Sequence, residues 1–90
     1  MAVKFSNQAT HFYKKAQSPL QADIKTAVAR VVEDPLCGKP LHGQLTGTRR
    51  IKFSSKVTGQ RLVMVYELRG GDVIVLRIDF RDRVYRRLFR

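Results

Sequence analysis

Apolar residues recur at helical spacing between Ala9 and Val32, and from Ile51 onward they alternate with polar ones. Residues 2–5 precede both regimes and read as a short strand, with Val3 and Phe5 on one side and Lys4 on the other. Ser6 suits a helix N-cap. Ala9, Phe12, Tyr13 and Ala16 then fall at i, i+3, i+4 and i+7, one apolar stripe that leaves Lys14 and Lys15 outside it. Ser18-Pro19-Leu20-Gln21 combines an N-cap at Ser18, a proline at the first helical position and a glutamine three residues after the cap, so a second helix is predicted there. Its inward face is Leu20, Ile24, Ala27, Val28, Val31 and Val32. Pro35 predicts its end near Asp34, because the residue before a proline avoids helical geometry. Two antiparallel helices joined by a tight turn are expected.

Glycine and proline recur over residues 36–47, which reads as a connecting loop anchored by Leu41 and Leu45. Ile51 and Phe53 then alternate with Arg50, Lys52 and Ser54, and Leu62, Met64, Tyr66 and Leu68 alternate with Arg61, Val63, Val65 and Glu67. Gly70-Gly71-Asp72 is a hairpin signal. The strand after it is expected to turn Ile74, Leu76 and Ile78 to the helices and Val73, Val75, Arg77 and Asp79 away from them. The expected fold is α+β: an N-terminal strand, a helical hairpin, then an antiparallel β-meander packed on the helices. Residues 1–90 are expected to form one domain, since a chain of this length buries a single modest core.

Charge changes the picture more than composition does. Eighteen Lys and Arg stand against seven Asp and Glu, a net charge of +11, so the partner is expected to be a polyanion or an acidic protein. Residues 49–90 hold twelve of these cations, ten of them arginine, whose flat fork of donors suits phosphate oxygens better than lysine's point charge. A single cysteine, Cys37, excludes an intrachain disulfide framework and a cysteine-based metal cage. The longest apolar run, residues 62–66, is far short of the ~20 residues of a membrane span, and no apolar secretory segment opens the chain. No membrane partner and a cytoplasmic location are expected.

Parity along the strands gathers the cations. Arg50 and Lys52 point together, Arg61 lies opposite Leu62 and Met64, and Arg77 and Arg81 share a face. If the apolar faces cover the helices, all five lie on the exposed side of one sheet. Like charges on neighbouring strands cost roughly 0.2 to 1 kcal/mol per pair, so a polyanion that neutralises them accounts for the cluster better than stability does. Tyr85 follows Arg81 by four residues and is placed to flank the patch with a ring, or to pack the chain's end on the sheet.

The order of these elements and several local strings resemble the RelE/ParE superfamily of small bacterial toxins, over residues 3–85. The strings are Glu33-Asp34-Pro35, Gly38-Lys39-Pro40-Leu41, Leu45-Thr46-Gly47, Arg50-Ile51-Lys52, Gln60-Arg61-Leu62-Val63, Phe80-Arg81 and Val84-Tyr85. The RelE branch cleaves messenger RNA in the ribosomal A site, and the resemblance implies matching roles here. Arg50 and Lys52 fall where that branch has basic residues at the cleavage site. Arg61 and Arg81 match its phosphate-binding and leaving-group arginines, and Tyr85 its base-stacking tyrosine. Arg49, Lys56, Arg77 and Arg83 are further cations expected to contact RNA. Some relatives carry a histidine just before the arginine matching Arg81; Phe80 stands there, so that general acid is absent. The partners implied are mRNA, the ribosome and a cognate acidic antitoxin, which would cover the basic face or displace the tail over residues 84–90. Two alternatives are a ParE-like inhibitor of DNA gyrase without catalytic activity and an inert RNA-binding relative.

RNA cleavage by its own 2'-hydroxyl requires in-line geometry, a proton acceptor, stabilisation of phosphorane charge and a donor to the departing oxygen. Arginine and lysine supply the last two; proton abstraction is the demanding step, because lysine is almost wholly charged at neutral pH. Glu67, Asp72, Asp79 and Asp82 show no clustered carboxylate pattern, so no metal and no cofactor is expected. His11 reads as a helix-edge residue, His42 as a solvated loop residue and Cys37 as a small loop residue without an activating base.

Overall fold

The computed structural model describes residues 1–83, which form β1 (Val3–Phe5), α1 (Asn7–Lys15), α2 (Ser18–Glu33), β2 (Lys39–Pro40), a 3-10 turn (Gly43–Leu45), β3 (Thr48–Ser54), β4 (Arg61–Arg69) and β5 (Asp72–Phe80). The strands make one sheet in the order β1-β5-β4-β3-β2, antiparallel except for the parallel β1–β5 pair. The expected α+β architecture is thus present, with two additions. β1 docks beside β5, whose two flanks are therefore both paired, and the connector contributes β2, in which Lys39 and Pro40 pair with Arg50 and Arg49. A two-residue strand containing proline carries no alternation to read, and its edge position is where proline is tolerated.

Ser6 caps α1 as expected, its Oγ accepting the Ala9 N–H at 3.1 Å. The start of α2 differs from expectation. Gln17 is the N-cap, Ser18 is already helical, and no side chain caps the turn. Only Ala16 and Gln17 separate the helices, so Gln21 lies close enough to α1 for its Nε2 to donate to the Tyr13 carbonyl at 2.9 Å instead. Ala9, Ile24, Ala27 and Val31 bury against Ile51, Met64, Tyr66, Val73, Val75 and Ile78. Each buried Val, Ile or Met among them contributes about 1.5–3 kcal/mol. Val32, expected in this face, is 40% exposed: at 3.6 residues per turn it lies about 80° round the helix from Ile24. Leu68, two residues from the positive-φ hairpin turn at Gly70 and Gly71, is also exposed.

β5 departs from strict alternation. Tyr66 pairs with Val75 and Val65 with Arg77, so Leu76 is an extra residue, a bulge. Before it Val73 and Val75 face the helices, and after it Ile78 does. Ile74 and Leu76 were expected in that layer and are not; Leu76 packs on the opposite face with Leu41, Leu45, Val63 and Val65. The bulge is held from the β1 side. Ser6 N–H donates to Val75 O at 2.9 Å, Ser6 Oγ to Leu76 O at 2.6 Å, and the Gln8 amide exchanges two bonds of 2.8 and 3.0 Å with the main chain of Ile78. Where β1 ends, these side chains satisfy the strand edge.

The connector is pinned to the sheet by Tyr66. Its buried hydroxyl donates to Pro35 O at 2.8 Å and accepts the Gly38 N–H at 2.9 Å, while Arg49 Nη1 donates to Gly38 O at 2.7 Å. A Cβ on Gly38 would stand 2.5 Å from the Tyr66 oxygen. Gly38→Ala is therefore expected to destabilise the domain by about 1–3 kcal/mol, measured by urea unfolding. Burial pushes the Tyr66 phenol above its ordinary 10.0, against the pull of the Gly38 N–H. Its contribution is complete below that value and is lost as pH rises through the raised one, since the unfolded chain then releases the proton first. Melting curves taken into alkali should fall in this range for the wild type and more shallowly for Tyr66→Phe.

Candidate nucleic-acid interface

The face of the sheet turned away from the helices carries four rows of side chains, because residues paired across antiparallel strands share a side. Thr48, Glu67 and Ile74 form the first row, Arg50, Val65 and Arg77 the second, Lys52, Val63 and Asp79 the third, and Ser54 pairs with Arg61 in the fourth. Leu62 pairs with Phe80, the last residue of β5, and the chain turns helical at Arg81 directly after it. Gln60, Arg61, Phe80, Arg81 and Asp82 line one open cleft of about 310 Å³. Lys52 is the diagonal neighbour of Arg61, about 7–8 Å away by sheet geometry, and Arg50 lies two residues further along β3.

Several supports fix these positions. Asp23, buried on α2, accepts the Lys56 N–H at 3.0 Å and so ties the β3–β4 turn to the helix. Within that turn Ser55 N donates to Gln60 O at 2.9 Å and Gly59, at φ +74°, donates to Ser55 O at 2.8 Å. Arg61 begins β4 directly after it. On the other side of the cleft, Phe80 packs edge-on against Phe12 with centroids 5.6 Å apart, which anchors the end of β5 to α1. Phe80, at the position expected to match a histidine of some relatives, is thus a ring in a packing contact. Across the face, Leu41 and Leu45 bury Val63 and Val65.

The sequence-derived residues separate into groups. Arg61 and Arg81 share the cleft, and Arg50 and Lys52 share its face. Arg77 is on that face but largely covered, its side chain 19% exposed and its Nη2 3.6 Å from Asp79 Oδ2. Arg83 lies in the helical residues just past β5, 3.7 Å from Asp79 Oδ1 and with its guanidinium 5.4 Å from the Phe80 ring centroid. Lys56 is exposed on the β3–β4 turn. Arg49 pairs with Tyr66 and therefore points to the helix side, where it binds the carbonyls of Leu36 and Gly38. Tyr85 and the tail over residues 84–90 lie outside the described residues. His11 and His42 are exposed, and no three His, Cys, Asp or Glu side chains gather as a metal site among the described residues. Asp79, Gln60 and Asp82 were not singled out from the sequence; the Arg77-Asp79 alternation and the Asp79-to-Arg83 spacing of four were the available signals.

Chemically, the cleft offers two guanidiniums to one anion and the adjoining face an ammonium and a third guanidinium. That set can hold a phosphodiester and stabilise charge that develops on it. No helix is long and apolar enough to cross a membrane among the described residues.

No curated protein matches the chain in sequence. Among solved structures it is similar to the isolated RelE toxin of E. coli, with a TM-score of 0.70 at 22% identity over 96% of this chain and 92% of that one. It is also similar to the YoeB/ParE toxin from Agrobacterium tumefaciens, TM-score 0.70 at 17% identity over 89% and 98%. YafQ from E. coli gives 0.65 at 16% identity over 92% and 96%. The family model described as ParE-like toxin of type II bacterial toxin-antitoxin system matches residues 3–88, nearly the whole chain. With the fold and the residue match in agreement, the chain belongs to the ParE-like toxins of type II toxin–antitoxin systems, within the RelE/ParE superfamily.

Proposed function

We propose that this toxin is a metal-independent endoribonuclease of the RelE kind, which cuts messenger RNA on the ribosome by 2'-hydroxyl attack and thereby stops translation. The observation that carries the reading is the single cleft lined by both Arg61 and Arg81, on the face that also holds Arg50 and Lys52. Two guanidiniums at one phosphate match the need to stabilise an anionic phosphorane and to assist the departing oxygen, with Lys52 the nearest amine for the 2'-hydroxyl. The cleft holds no histidine, so the ribosome is assigned the task of ordering the message in line. Tyr85 is assigned the stacking role its match implies. The similar RelE structures include one in complex with its antitoxin, RelB; for this chain we assign a cognate acidic antitoxin that neutralises the +11 charge.

Removing one charge-stabilising donor from such a site costs ~10²-fold or more in rate. Arg61→Ala and Arg81→Ala should each lower cleavage of ribosome-bound message by at least about that factor and relieve growth arrest, measured by primer extension and by induction in growing cells. Wild-type cleavage by both folded variants would refute the assignment. The family's ParE branch gives the competing outcome: intact messages with altered DNA supercoiling or broken DNA after induction would make the chain a gyrase inhibitor.

Binding gives a separate test. Affinity for single-stranded RNA should fall steeply with salt, by a slope of about 0.7 per phosphate contact, as counterions are released. Arg50→Gln and Lys52→Gln should each flatten that slope by roughly one contact's share, measured by fluorescence anisotropy.

A further inference from the structure

A cavity of about 560 Å³ opens on the helix side of the sheet, at the end where β4 begins and β5 stops. Phe12, Leu20 and Val57 supply apolar surface to it, Lys15 and Arg83 supply charge, and no carboxylate lines it among the described residues. Val57 is 70% exposed there. Gln60 and Phe80 line both this cavity and the cleft of Arg61, so the two spaces meet at the end of the sheet. The strand pairings divide that end by face. Arg61 pairs with Ser54 on the outer side, whereas Phe80 pairs with the core residue Leu62 and meets Phe12 of α1.

The Gln60 carboxamide has a defined polarity. Thr58 Oγ1 accepts the Gln60 N–H at 3.2 Å, which leaves the hydroxyl proton to donate to Gln60 Oε1 at 3.3 Å. Gln60 Nε2 donates to no group among the described residues, so the amide offers donors. An unstacked RNA base is recognised by a ring to lie against and by hydrogen bonds to its edge. Phe80 and Gln60 provide both, next to the arginine assigned to the phosphate.

We infer that the end of the sheet is a nucleotide site with two compartments. Arg61 takes the phosphate on the outer face, and the base turns over Phe80 into the cavity on the helix side, where the Gln60 amide selects keto bases over amino bases. O4 of uracil or O6 of guanine accepts from Nε2, whereas the amino group of cytosine or adenine sets donor against donor. Continuity with the Arg61 cleft and a lining of cations without carboxylates both fit a nucleotide. The inference rests on the ribonuclease reading for the strand being messenger RNA; selection between bases in binding is separable from cleavage.

The test measures, on the full chain, the anisotropy of labelled oligouridine and oligocytidine, two pyrimidine strands of opposite polarity at the exocyclic group. Wild type should bind oligouridine several-fold more tightly. Gln60→Ala should bring the two affinities together, and Gln60→Glu, which offers acceptors alone, should weaken both and favour oligocytidine. Position 60 is exposed and its main-chain oxygen keeps the Ser55 N–H, so both variants retain the turn. Phe80→Leu, which removes the ring, should weaken both strands several-fold. On ribosome-bound message, keto bases should be enriched beside the cuts made by wild type and lose that enrichment in Gln60→Ala. Equal affinity of wild type for the two strands, the result expected if the cavity takes a protein side chain, overturns the proposal. So does a wild-type ratio that survives in Gln60→Ala, or wild-type binding of both strands by Phe80→Leu. A wild-type protein that cleaves nothing removes the ribonuclease reading, and the ratio of the two strands still decides the role of Gln60.

Discussion

The bulge at Leu76 is the constraint on which both faces of the sheet depend. β5 lies between β1 and β4 and supplies both the main core and the outer face. Without an extra residue, the side that buries Val73 and Val75 would also take Arg77 and Asp79, placing two charged side chains under the helices. With it, Ile78 enters the core and Arg77 and Asp79 go outward. The bulge exposes main-chain groups that β1, only three residues long, does not reach. Ser6 and Gln8 satisfy them, and Ser6 caps α1 with the same hydroxyl. One short segment thus starts a helix, closes a strand edge and sets which way a charge points.

The basic face is staggered rather than stacked. Val63 and Val65 separate the cations of β3 from the side chains of β5 by a full strand, so like charges meet diagonally or at two-strand distance. That spacing, about 9–10 Å across two strands, reduces their repulsion toward what solvent and salt screen. The supports come from the helix layer: Asp23 holds the β3–β4 turn and Arg30 reaches the Lys52 carbonyl at 3.4 Å. The strand and turn that carry these cations are thus held from the opposite side of the sheet.

Helical periodicity made α1 and α2 legible, and the hairpin glycines located the β4–β5 turn, because those signals are local. The placement of Arg50, Lys52 and Arg61 followed from simple alternation on β3 and β4, which the structure preserves. Alternation failed at β5, where a bulge leaves no mark in a run of Val, Ile and Leu that suits either face. Arg77 nevertheless reached the expected side, for a reason the pattern did not contain. Arg49 was read with its neighbours as an outward cation, yet parity alone sends it to the helix side, where carbonyls of the connector receive it. Asp79 was read on the outward side, but its burial was not legible, because it sits between two arginines, one two residues before it and one four after.

The parallel pairing of β1 with β5 has a consequence in time. Residues 3–5 find their partners only at residues 73–75, so the sheet is joined by one of the most distant contacts the chain can make. Synthesis runs from the N-terminus, so the first strand and the Gln8 amide must wait for a segment made 70 residues later. A nascent chain that has not yet supplied β5 therefore lacks the clamp that turns Arg77 and Asp79 outward. The part of the surface that carries Arg77 and Asp79 is assembled only once β5 has joined the sheet.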